Sequence, residues 1–158
     1  MGEATAAGIT QASKAKALKE EMESHALDAI ADARVNHNAT LIWDPECVRL
    51  VEAILSKLYD KQPLGFFQKI AKKGISPLEL DKYAKMYGGY VGELLRNSLG
   101  GEWGYDETSA PGYKLVALTF PNRVRVFPPL RVHQRLTKGP KQNVWDYFQE
   151  LMKQKNIR

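Results

Sequence analysis

Cys47 and the three histidines, His25, His37 and His133, are the residues with the most obvious capacity for nucleophilic or metal chemistry. A cysteine at the third position of a helix opened by Pro45 would feel the positive helix end, which favours the thiolate. A histidine could then serve it as base. The histidines lack the spacing of a helical ligand pair, however, and one cysteine is too few for a structural zinc site. Cys47 is more simply read as a small apolar residue of an amphipathic helix. Glu93, followed by Glu102 and Trp103, is the acidic candidate. Hydrolysis by paired carboxylates needs two acids across a cleft, and neither a third group nor an oxyanion donor accompanies these two. The sequence therefore points to no catalytic set, no cofactor and no metal, and to a non-catalytic protein.

The stretch "MYGGYVGELL" invites comparison with a phosphate loop. Such loops place their glycines ahead of a helix, where backbone N–H groups face the anion. Here the capping box "SPLE" at Ser76 and Glu79, with Pro77 at the first helical position, lies upstream of the glycines. Gly100 and Gly101 supply the stop downstream. The glycines thus fall inside a helix. Ala84, Gly88 and Gly92 recur every four residues and make a smooth face, at a cost of about 1 kcal/mol per glycine. Close helix packing against another backbone, the hairpin or the first helix, is the expected compensation.

Arginine is the side chain best suited to bidentate contact with carboxylate or phosphate. Residues 123–158 hold nine Lys/Arg against Asp146 and Glu150, a balance of +7, whereas the rest of the chain carries −2. Arg123 and Arg125 alternate with valines and are expected on one strand face. Arg131 and Arg135, four apart, share a helix face, with His133 and Lys138 near them. These six residues form the expected partner-binding surface. An acidic protein or a nucleic acid would fit such a charge. Exposed aromatic stacking platforms, which single-stranded nucleic acid would favour, are not evident, since Trp145, Tyr147 and Phe148 fall on an apolar helix face.

The elements that must hold these residues read as an α+β domain: N-terminal helices, a small antiparallel β-hairpin or three-stranded sheet, and two C-terminal helices. Residues 1–12 are small and polar and read as a flexible tail, leaving 13–158 as the single domain. Over 13–36, Ala15, Leu18, Met22, Ala26, Ala29 and Ala33 form an apolar stripe with few large side chains. That leaves loose packing, or a partner on another chain, open. Asp44 and Pro45 start the next helix, with Val48, Val51, Leu55 and Leu58 buried. Residues 63–74 follow, with Phe66, Phe67 and Ile70 as expected core. The helix after Ser76 buries Leu80, Tyr83, Tyr87, Tyr90, Val91, Leu94 and Leu95. "EWGY", "YKLVALTF" and "RVRVF" read as strands, "LRVHQRLTKG" as a short helix closed by Gly139, and Pro140 as the start of the last. No apolar run approaches about 18 residues, so no membrane span is expected. The first residues do not follow a secretory pattern, and a lone cysteine fits a reducing compartment. The cytoplasm is the expected location.

The segments "GGYVGELL", "LGGEW", "RVFPPLRVHQRLTKG" and "NVWDYF", spread over residues 87–147, resemble a family of small uncharacterised bacterial α+β proteins. In that family a glycine-bearing helix leads through Gly-Gly-x-Trp into a small sheet, and Val-Phe-Pro leads out into a basic helix. Some members are encoded in toxin/immunity neighbourhoods. The resemblance carries no activity over. It implies an immunity protein or antitoxin that binds and neutralises a toxin or effector. A nucleic-acid-associated protein using the basic C-terminal patch is the alternative.

Overall fold

The computed structural model describes residues 2–61 and 74–156. Helix α1 (Gly2–His37) leads to a 3-10 turn (Pro45–Cys47), helix α2 (Val48–Asp60) and helix α3 (Pro77–Leu99). Strands β1 (Glu102–Asp106), β2 (Leu115–Thr119) and β3 (Arg125–Val126) follow, then helices α4 (Pro128–Lys138) and α5 (Val144–Met152). The architecture is α+β, and the sheet is a three-stranded antiparallel meander in the order β1-β2-β3. Trp103 lies opposite Leu118, and Leu118 opposite Val126, so all three strands contribute to the core.

Local chemistry explains most boundaries. Ser76 and Glu79 form the reciprocal capping box of α3, and Gly100 ends it at φ 78°. Asp44 caps the 3-10 turn by accepting from the Glu46 amide at 2.9 Å. Three boundaries depart from the sequence reading. α1 starts at Gly2, so the segment read as a flexible tail is helical; it is rich in helix formers and no proline interrupts it. β3 is only two residues long, because Arg123 takes φ 71° in the turn before it. Pro140 opens a 3-10 turn, and α5 begins after Asn143, whose side chain accepts from the Asp146 amide. Residues 63–73, with the expected core residues Phe66, Phe67 and Ile70, lie outside the described residues.

Helix α3 packs against α1 along one flank and α4 along another, and α2 closes on α4 and α5. Leu18, Met22, Ala26, Ala29 and Ala33 of α1 are all buried. Their thin stripe lets the two backbones approach closely: a Cβ at Gly89 would stand 3.0 Å from the Met22 carbonyl oxygen. Small side chains here mean a tight crossing, since interaxial distance follows side-chain size. Tyr87 and Tyr90 are fully buried. Their hydroxyls donate to Asp32 and to the Ile42 carbonyl, so neither polar tip is left unsatisfied.

Candidate binding site

The glycine face of α3 is filled by protein. A Cβ at Gly88 would lie 2.4 Å from Pro129 Cα, and one at Gly92 only 2.1 Å from the Trp103 ring. Ala84, on the same face, is also buried. The elements that come close are the N-terminal prolines of α4 and the first strand; α1 meets the neighbouring Gly89 instead. Glu93 and Asp32 are engaged as structural acceptors, whereas Glu102 of β1 is exposed. Glu93, 3% exposed, accepts from Trp103 Nε1 at 2.9 Å and from Arg96 Nε at 2.7 Å. Asp32 accepts from Tyr87 and Asn36 and faces His37 at 3.3 Å. Cys47 is half-buried at the end of its 3-10 turn. Among the described residues, no group of three or more His, Cys, Asp or Glu is arranged to hold a metal ion. No helix among them is long and apolar enough to cross a membrane.

The six candidate partner-binding residues separate. Arg135 is 2% exposed. It donates through Nε to both carboxylate oxygens of Glu52 at 2.9–3.0 Å and lies over the Tyr59 ring. It is therefore a structural ion pair between α4 and α2, which corrects its place in the expected surface. It does share a face with Arg131, but α2 crosses that face at Arg135. Arg123 and Arg125 do not share a strand face either. Arg123 sits in the turn, where its amide donates to the Phe120 carbonyl, and the Asn122 side chain accepts from the Val124 amide. Arg123 and Lys138 are exposed, and His133 is half-buried. His133, two residues from Arg131, points about 200° around the helix from it.

Arg125 and Arg131 do converge, on a cleft between β3, the start of α4, and α5. The Arg125 side chain is 45% exposed, and its Nη1 donates to Asp106 at 3.0 Å. Asp106 is itself anchored by four hydrogen bonds from the amides and hydroxyls of Thr108 and Ser109. The Ser109 amide and hydroxyl, then Arg125 and the Thr108 amide, hold its carboxyl well below the usual carboxylate range. Arg131 donates to the Gln142 side chain and lies over the Tyr147 ring, 4.7 Å from its centroid. The Tyr147 hydroxyl oxygen is buried and makes no hydrogen bond of good geometry. Burial pushes its pKa up, while Arg131 and the nearby Phe127 amide pull the other way.

Tyr147 is the cleft residue that sequence reasoning missed. It was assigned to the apolar face of the last helix, of which Val144 and Phe148 are the buried residues. The available signal was its position three residues after Val144, at the edge of that stripe, with a hydroxyl that an interior position would have to satisfy. No family model matches the chain, and no curated protein or solved structure matches it significantly.

Proposed function

We propose that the protein works by binding, without chemistry of its own, an acidic surface of another protein in the cytoplasm. The observation that carries this reading is the cleft in which Arg125 and Arg131 converge beside Tyr147. Arg and Tyr are the residues most often found as interface anchors. Exposed Arg123 and Lys138 add charge of the same sign on α4 and the turn before β3, and such charges steer encounter with an acidic partner. The engagement of Glu93, Asp32 and Asp106 as structural acceptors favours a binding role over hydrolysis. The narrower form of the proposal is an immunity protein or antitoxin that covers an acidic patch of a toxin or effector. This narrower form takes up the resemblance read from the sequence segments of residues 87–147 alone.

The test is capture of partners from the native host at about 150 mM salt, using the full chain and Arg123→Glu/Arg131→Glu. The charge-reversed protein should keep its melting temperature and lose a single acidic protein partner. Recovery of bulk nucleic acid that moderate salt removes would overturn the reading in favour of the nucleic-acid alternative.

A further inference from the structure

The cleft between Arg125 and Arg131 has a volume of about 210 Å³. Pockets for small molecules and cofactors run to roughly 300–1,000 Å³, so this one suits a single side chain. Its lining includes no acid. Val126, Phe127, Leu130 and the Tyr147 ring give it an apolar wall, and Arg125 and Arg131 bring positive charge. Pro128 and Pro129 have no N–H, so Leu130 carries the first amide of α4, at the positive end of an eleven-residue helix.

The charge balance selects the ligand. Arg125 is neutralised by Asp106, whose carboxylate is held ionised by its own loop. Arg131 has a neutral partner, Gln142. The cleft therefore retains a net charge near +1. Arg125 is engaged on both edges, through Nη1 with Asp106 and Nε with Thr119, whereas Arg131 spends only Nη1 on Gln142 and keeps its Nε–Nη2 edge for a ligand. That complements a monoanion with two oxygens. A phosphate group at neutral pH carries about −1.5 to −2 and would remain under-neutralised.

We infer that this cleft takes the carboxylate of a single Glu or Asp side chain presented by the partner protein. Arg131 binds its two oxygens through the Nε–Nη2 edge, the adjoining Leu130 amide faces it at the positive helix end, and the apolar wall covers the side-chain methylenes. The inference rests on the acidic-protein reading above and deepens it.

Nuclear magnetic resonance on the ¹⁵N-labelled full chain tests it, with N-acetylglutamate N-methylamide as probe. Its glutamine analogue and inorganic phosphate serve as comparisons. The glutamate probe should give saturable shifts of the Arg131 Nε–H signal and the Leu130 amide. Affinity for the glutamine analogue should be at least about tenfold weaker, as expected on losing charge-assisted hydrogen bonds. Arg131→Met should abolish saturation. Equal response to the glutamine analogue, tighter binding of phosphate at the same residues, or unaltered saturation in Arg131→Met would each overturn the inference. A partner captured by Arg131→Met but not by Arg123→Glu, with no glutamate response, would overturn the cleft alone and leave the acidic-protein reading standing.

Discussion

Trp103 holds its place through two contacts of opposite kind: its indole N–H donates to buried Glu93, and its ring lies where a Cβ on Gly92 would be. Gly92→Ala would gain about 1 kcal/mol of helix propensity. It would also drive a methyl group into a ring tied down at its other end. Overpacking of this kind costs about 1–3 kcal/mol, so denaturant unfolding should show net destabilisation. Gly88→Ala should cost more, because the obstacle is the Pro129 backbone. Gly104→Ala, with nothing within 4 Å of the added Cβ, should be close to neutral and serves as the control. Asp106 governs a second residue-scale property. Its folded-state pKa is depressed, so the stability it contributes is present above the ordinary carboxylate pKa and is lost as pH falls through the folded value. Asp106→Asn should therefore melt below the parent protein at neutral pH. The gap should narrow once pH drops below about 4, and thermal melts across that range measure it.

The contact between α4 and α2 depends on the Glu52–Arg135 pair, in which Glu52 also accepts from the Val144 amide at 2.8 Å. One carboxylate thus joins three helices. Removing one partner of a buried pair costs about 3–5 kcal/mol, because the other charge is left uncompensated. Arg135→Met and Glu52→Gln should each lower stability by about that much. The double variant should lose less than their sum, which a double-mutant cycle in denaturant would read. This interaction also marks what was legible in the sequence. The caps at Asp44, Ser76 and Gly100 were readable, because a cap is made by residues within one turn of each other. The α+β order and the burial of Val48, Val51, Leu55 and Leu58 of α2 followed from periodicity. Arg135 was misplaced because helical spacing gives the face of a residue but not the element that will cross it. The alanine stripe of α1 left loose packing open for the same reason, since its closeness depends on Gly89 of another helix. Tyr147 became a cleft residue only when α5 met Arg131 of α4.

Across the whole molecule, the basic C-terminal part is less cationic in space than in sequence. Two of its arginines are matched by acids from elsewhere: Arg135 by Glu52 and Arg125 by Asp106. Lys153 pairs with Glu150 at 2.7 Å. Among the described residues, five cations of this part have no acidic partner. Arg123 sits in a turn, Arg131 in a cleft, Lys138 at the end of α4, and Lys141 and Lys155 in two separate 3-10 turns, an arrangement without the continuous stripe that follows a phosphate backbone. Nucleic-acid affinity depends on the number of phosphates neutralised, and the log–log salt slope is about −0.9 per contact on duplex DNA. Five available cations should give a slope no steeper than about −4.5. Fluorescence anisotropy with a duplex of about 20 base pairs should accordingly show no saturable binding near 150 mM salt, and weak binding at lower salt. A slope of about −7 or steeper, with tight binding at physiological salt, would require more phosphate contacts than this surface offers. It would also sink the protein-binding proposal. A shallow slope would instead leave the net charge to its other use, steering an acidic protein toward the cleft.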